Sequence, residues 1–316
     1  MAYKSNNCEG ASNGTAISVA NSDDNAAGDA LAVATGGTRQ YTSAWANHGT
    51  TSWECSATSG NTAILGFTQT AAAGLSTRCY IRVTALPSAA CTILQMRTDT
   101  DLARGTVAMR TDGKLEVTTE AGVVFTTTTA CSINTTYRIE WRQIKGTTTS
   151  DGTVGFKLFA GESTTALETY TTSAANTGTN DLVSWRLGKI TGIASTFAIM
   201  FDDVAMEDQG TTFLGPLLGL SDLTFTTARK ITVDCTGSVG TLTCTQTSGT
   251  SVGSISGPTS SVFTITLPDH KDVLVFTVSA DGDGDAVTDT FKVYPDNLSN
   301  VLVYAGGGAS DIANWE

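Results

Sequence analysis

Apolar and polar residues alternate with a period of two along much of the chain. In Cys79–Ala85 the positions Cys79, Ile81 and Val83 fall on one face. In Tyr137–Lys145, Tyr137, Ile139 and Trp141 share a face, and Arg138, Glu140 and Arg142 share the other. Val154–Phe159 repeats the pattern, and a long strand is expected over Thr196–Met206. Alternation of this kind marks antiparallel strands with one face on a core. Turn signals separate the runs. Asp112-Gly113 stands between Thr106–Arg110 and Lys114–Thr118, a strong hairpin signal, and Asp151-Gly152 is read as a second turn ahead of Val154. No stretch combines a 3.6-residue apolar period with helix caps, so the pattern predicts an all-β chain of sandwiches or barrels.

A boundary is expected at Gly215-Pro216, within the Gly- and Pro-bearing segment Phe213–Gly219. Beyond it a second set of strands is expected at Leu223–Thr226, Lys230–Cys235, Thr241–Gln246, Val262–Leu267, Val273–Ala280 and Ala286–Tyr294, the last two flanking Asp281-Gly282-Asp283-Gly284. The organisation predicted is therefore residues 1–214 as a first sandwich, 215–221 as a linker, 222–295 as a second and 296–316 as a C-terminal docking segment. That segment holds one short strand, Asn300–Tyr304, then Gly306-Gly307-Gly308. It is expected to lie outside both sandwiches, with Leu302, Tyr304, Ile312 and Trp315 available for docking. No internal repeat of fixed period is found.

Composition sharpens this picture. Across 316 residues, charged residues make up 15%, below the usual ~25%, and Thr, Ser, Gly and Ala fill the difference. Thr suits half-buried strand surfaces, and Gly and Ser suit turns. The net charge of -12, with no cluster of Lys and Arg, weighs against nucleic acid and against anionic membranes as partners. No apolar run approaches the ~20 residues of a membrane helix, so no membrane insertion is expected. Met1–Ser12 is polar and lacks the apolar core of a signal peptide, so synthesis in a cytoplasm without export by that route is expected. The seven cysteines (Cys8, Cys55, Cys79, Cys91, Cys131, Cys235 and Cys244) are odd in number and form no C-x-x-C. They read as mostly reduced, buried thiols. Cys235 and Cys244, on neighbouring predicted strands, form the single pair considered for a disulfide.

Several short motifs occur in a familiar order: Cys8-Glu9-Gly10 with Asn13-Gly14-Thr15, Ala20-Asn21-Ser22, Asp112-Gly113-Lys114-Leu115, Tyr137-Arg138-Ile139-Glu140, Gly152-Thr153-Val154, and Phe201-Asp202-Asp203-Val204-Ala205 before Gly215-Pro216. In this order the first ~210 residues resemble a concanavalin/laminin-G-like jelly roll of the kind found in phage minor tail proteins and actinobacterial surface proteins. The position of Cys8 is usually aromatic in that pattern. The second unit resembles a PKD-like immunoglobulin-type domain. Thr243-Cys244-Thr245-Gln246-Thr247-Ser248-Gly249 stands where its third strand is expected, with Cys244 in place of a core Trp. Phe276–Asp281 and Asp289–Val293 stand where its last hairpin is expected. The resemblance implies display, spacing or adhesion on a virion.

Candidate chemistry is sparse. The two histidines, His48 and His270, have no ligand partner at metal spacing and read as solvated loop residues. No nucleophile elbow, zinc motif or phosphate loop is found. Asp281, Asp283 and Asp285 alternate like the start of a calcium loop, but the closing position holds Lys292, so a solvated turn is favoured. Asp202 and Asp203, adjacent acids in a strand, suggest a bulge or a polar contact at the sheet edge. The weaker alternatives are rim calcium and paired glycosidase carboxylates. Trp45, Trp53 and Trp185 are more readily core residues than sugar platforms. No catalytic or metal residue is assigned, no ligand-binding residue is named, and no cofactor is expected. The expectation is a non-enzymatic structural protein of a tailed phage. It would be a minor tail or capsid decoration protein on the virion exterior, adhering to a host surface or glycan. Its partners would be other virion proteins, and a homo-oligomer is expected. The alternatives are a stand-alone carbohydrate-binding module and, less favoured, a glycoside hydrolase or depolymerase.

Overall fold

The computed structural model describes residues 3–23, 28–58, 60–193, 197–216, 222–226, 230–235, 241–249, 252, 254–260, 262–266, 274–281, 286–296 and 300–305, with 222–226, 286–296 and 300–305 as backbone. The chain divides into two compact units. The first is Met1–Gly161 with Thr165–Leu214, and the second is Gly215–Glu316 with Glu162–Thr164. No helix among the described residues is long and apolar enough to cross a membrane.

In chain order the first unit begins with β1 (Tyr3–Asn6), β2 (Val33–Gly36), β3 (Thr38–Thr42), β4 (Ser52–Ala57), β5 (Ala63–Ala72), β6 (Gly74–Val83) and β7 (Cys91–Thr98). It continues with β8 (Ala103–Met109), β9 (Lys114–Thr119), β10 (Gly122–Ala130), β11 (Tyr137–Ile144), β12 (Gly152–Ala160), β13 (Ala166–Ala175), β14 (Leu182–Lys189) and β15 (Phe197–Glu207). These form two antiparallel sheets. One runs β13-β12-β11-β6-β15-β4-β3, with β1 also paired to β15, and the other runs β10-β9-β8-β7-β14-β5-β2. Two meanders, β7–β10 and β11–β13, fill one side of each sheet, and β14 and β15 return through the middle of both. This is a jelly-roll sandwich.

The alternation seen in the sequence packs the core. Tyr137, Ile139 and Trp141 of β11 meet Cys79 and Ile81 of β6 and Phe197, Ile199 and Phe201 of β15 in one buried cluster. Trp185 and Phe67, paired in register, stack with centroids 6.4 Å apart, and Trp53 of the opposite sheet lies 6.3 Å from Phe67. Burial of aromatic side chains on this scale dominates the stabilisation of such a core. Trp45 is also buried, but in the β3–β4 loop rather than in a strand, with Nε1 donating to the Thr136 hydroxyl at 3.1 Å. None of the three tryptophans is an exposed platform.

The Asp112-Gly113 turn joins β8 and β9 as expected. The Asp112 carboxylate accepts from Lys114 N, and Gly113 takes φ +79°, a conformation glycine adopts at little cost. Asp151-Gly152 differs. Gly152 is the first residue of β12, and the turn before it is held by Asp151, which accepts from Thr147 and Thr148. The turn signal is therefore the acid, while the glycine answers to packing: a Cβ there would lie 1.9 Å from the Thr177 hydroxyl.

The second unit contains β16 (Asp222–Thr226), β17 (Lys230–Asp234), β18 (Thr241–Ser248), β19 (Ser254–Ser256), β20 (Val262–Thr266), β21 (Leu274–Asp281), β22 (Ala286–Asp296) and β23 (Asn300–Ala305). Its sheets run β16-β17-β20-β19 and β18-β21-β22-β23. With the first seven strands lettered A to G, these orders are ABED and CFG, the strand order of a constant-type immunoglobulin sandwich. The short β19 has no counterpart in the sequence reading. The placement of 296–316 outside both sandwiches needs correction for its first part. Asn300–Ala305 pairs with β22, from Asp296↔Asn300 to Phe291↔Ala305. The edge of β22 otherwise presents unpaired backbone groups, and the β-favouring run Val301–Tyr304 supplies their partners. Gly306–Gly308, Ile312, Trp315, His270 and Asp283 and Asp285 lie outside the described residues.

Candidate functional site

Strand β15 changes neighbour midway. Up to Phe201 it pairs with β4, and from Val204 it pairs with β1. Between these, its register with β6 shifts from Asp202↔Tyr80 to Ala205↔Arg78, so β15 carries one extra residue there. The doubled acid is therefore a β-bulge, one of the two readings its sequence allowed. Asp203 takes φ +46°, a left-handed conformation that Asp tolerates better than most residues.

The bulge turns both carboxylates toward the β3–β4 loop. Asp202 is fully buried. Its Oδ2 accepts from the backbone N–H of Asn47 at 2.6 Å and of His48 at 3.2 Å, and its Oδ1 accepts from Asp203 N at 3.0 Å. Asp203 is 1% exposed, with Oδ2 2.6 Å from His48 Nδ1 and 3.2 Å from Asn47 Nδ2. Its Oδ1 has no hydrogen-bond partner among the described residues. Arg78 Nε donates to the Asp203 carbonyl at 3.4 Å. Burial, and then the charge of Asp203, raise the Asp202 carboxyl well above the ordinary carboxylate range, opposed by the backbone N–H groups it accepts.

From the bulge a row of large side chains crosses the outer face of the sheet. In register these are Asp202 on β15, Tyr80 on β6, Arg138 on β11 and Phe159 on β12. The Arg138 guanidinium lies 3.9 Å over the Phe159 ring and 5.9 Å from the Tyr80 ring, and the His48 ring meets Tyr80 edge-on at 6.1 Å. Arg138 Nε donates to Glu140 at 2.8 Å, and both side chains are buried. This corrects the expectation of a single buried face for β11, because Arg138 and Glu140 are buried as well. His48 also changes character. It is no solvated loop residue, since its ring bridges Asp203 and Tyr80 and its side chain keeps 24% exposure.

The loop has a second anchor. Glu9, from the opening Cys8-Glu9-Gly10, accepts from Thr50 N at 2.7 Å, Thr51 N at 2.6 Å and the Thr50 hydroxyl at 2.6 Å. The Thr51 hydroxyl donates to the Cys8 carbonyl at 2.8 Å. Residues 47–51 are thus held at one end by the bulge acids and at the other by Glu9.

His48 Nδ1 faces Asp203 Oδ2, and His48 is the partly exposed member of that pair. Metal binding at Asp202 fits poorly, because both of its oxygens face N–H donors. Among the described residues no group of three or more His, Cys, Asp or Glu is placed to hold a metal ion. The doubled acid is visible in the sequence; its partners Asn47 and His48, some 155 residues away, carry no local signal.

No family model matches the sequence. No curated protein matches it either. Solved structures give weak likenesses. The cellulose-induced protein Cip1 is 16% identical over 55% of this chain and 87% of its own, with a TM-score of 0.41. The binding domain of botulinum neurotoxin DC in complex with rat synaptotagmin II is 10% identical over 86% of this chain and 73% of its own, at 0.40. The alginate lyase from Corynebacterium sp. is 10% identical over 49% of this chain and 76% of its own, at 0.35. At these values the architecture rests on the strand order described above.

Proposed function

We propose that the chain is a non-enzymatic binding and display component of a tailed-phage particle. It sits on the exterior, as a minor tail or capsid decoration protein, and adheres to a host surface or glycan. Its other partners are neighbouring virion proteins, including further copies of itself. One observation carries the non-enzymatic part. The adjacent acids that a hydrolase would need are bonded inward to Asn47, His48 and the backbone, so they hold the β3–β4 loop instead of facing a substrate. A hydrolase of this type keeps two carboxyl groups about 5–9 Å apart across an open groove. The virion assignment draws its support from the ordered motifs of the first unit and from the tandem of a jelly roll with an immunoglobulin-type sandwich; a fold by itself does not fix a function.

Three measurements on the intact chain test this reading. Labelled electron microscopy should place the chain on the outside of a phage particle. A glycan array should give binding, and incubation with the bound polysaccharide should release no reducing ends. Binding without particle association would favour the stand-alone carbohydrate-binding module. Reducing ends that vanish on Asp202→Asn would overturn the non-enzymatic reading.

A further inference from the structure

All seven cysteines are buried thiols. In the first unit, burial alone pushes Cys131 up to about 12. Burial also leads the upward shifts of Cys55, Cys79 and Cys91, and no cysteine acts on any of them. The second unit differs. Burial raises Cys244 to about 12, and the next contribution is the negative charge of Cys235. The strand pattern shows why these two sense each other. Cys235 follows the last residue of β17, and Val233 and Cys235 are the buried positions there. In β18 the buried residues Leu242 and Cys244 alternate with the exposed Thr241, Thr243 and Thr245. β17 and β18 belong to opposite sheets and follow one another in the chain. Both sulfurs therefore point into the space between the sheets, near the end where the chain crosses over.

We propose that Cys235 and Cys244 form a redox-controlled cross-link that staples β17 to β18 across the sandwich, closed by exchange with a small-molecule disulfide. The Cys244 thiolate attacks one sulfur of the oxidant RSSR, forming a mixed disulfide and releasing one RS⁻. The Cys235 thiolate then attacks the Cys244 sulfur and expels the second RS⁻. The two cysteine protons end on the two thiolates, so the balance is one disulfide reduced to two thiols for one formed. The staple is open in a reducing cytoplasm and closes on contact with an oxidising exterior. Reaction is gated. A thiol raised so far is almost never ionised at neutral pH, and the sulfurs are closed to solvent. Among the described residues β18 is the edge strand of its sheet and pairs with β21 alone, so opening of this strand sets the rate.

The test uses the full chain with oxidised glutathione at pH 8.5, against a control in dithiothreitol. Both samples are then treated with iodoacetamide in denaturant and digested with trypsin, which places both residues on the peptide after Lys230 and ending at Lys271. The expected result is a peptide lighter by two hydrogens that takes up no alkyl group, formed faster in mild urea. Amide exchange in β18 should slow by at least about tenfold, an effect absent in Cys244→Ser and reversed by dithiothreitol. Alkylation of both cysteines after oxidation would overturn the proposal, and so would glutathione retained on Cys244 without ring closure, or a bond from either residue to a cysteine of the first unit.

Discussion

From Tyr137 to Trp141 the two faces of strand β11 are both closed to water, and by different chemistry. Tyr137, Ile139 and Trp141 face the core of the first unit and meet other apolar groups. Arg138 and Glu140, one residue on in each case, are equally buried, but they are held by an ion pair, by the Phe159 and Tyr80 rings, and by a bond from Arg138 to the Gly161 carbonyl at 3.0 Å. Apolar contacts are non-directional, so their contribution follows the area removed from water more than any one geometry. A buried ion pair is directional: it offsets its own desolvation only while the geometry is kept, so it contributes position more than stability. The inner face makes the sandwich, and the outer face fixes where the loop from Asn47 to Thr51 sits.

The largest test of that contrast is to break the pair from one side. Glu140→Gln removes the buried carboxylate to which Arg138 Nε donates, and denaturant unfolding should show a loss of about 3–5 kcal/mol. The double substitution Arg138→Met with Glu140→Leu should lose clearly less than the single one. If the double change cost as much as the single, the outer face would be a stability element like the inner one. A smaller effect is expected at the loop. His48→Ala removes the ring between Asp203 and Tyr80 and should cost about 1–2 kcal/mol, with new protease cleavage confined to residues 43–51. Unchanged cleavage would mean that Glu9 and the bonds from Asn47 and the backbone to the bulge acids hold the loop without the ring.

The smallest effect is at the turn before β12. There the Thr147 hydroxyl leads, with Thr148 N, in lowering Asp151 to about 2. A folded value below the unfolded one means that the stabilisation is present above the ordinary carboxylate range, near 3.9, and is lost as pH falls through about 2. Carbon-detected titration should place the Asp151 midpoint near 2, and Thr147→Val should move it up toward the ordinary value without changing the fold.

What the sequence discloses follows from how local each cause is. Period-two alternation locates β6, β11, β12 and β15, because one face of each does meet a core. Asp112-Gly113 locates a hairpin, because turn chemistry is carried by adjacent residues. The bulge is legible as Asp202-Asp203 breaking the alternation. The same alternation misleads at Arg138 and Glu140, where a polar residue in a strand is read as facing water. Their closure depends on Tyr80 and Phe159, which lie on other strands. His48 is misread for the same reason, since its partner is 155 residues away. The placement of Asn300–Ala305 outside the sandwich fails because an edge offers backbone groups, and no side-chain pattern announces them.

The exit of the first unit has a mechanical meaning. Beyond β15 the chain is strapped back over the outer face: Arg142 donates to the Gly210 and Thr211 carbonyls, and Ser76 donates to that of Thr212. The Phe213 ring lies between Arg142 and Lys157, at 4.9 and 4.5 Å, over Gly155, where a Cβ would come within 2.8 Å of it. The N-terminal strand β1 pairs with the last residues of β15, Tyr3 opposite Glu207, so the start of β1 and the end of β15 lie side by side. Tension applied between those ends would peel β1 from β15 one hydrogen bond at a time, the weakest way to load a sheet. The strap stands ahead of that seam on the C-terminal side. A pull arriving at Leu214 first has to lift Phe213 from its seat and shear the bonds of Arg142 and Ser76, and the sandwich behind them stays unloaded until it does.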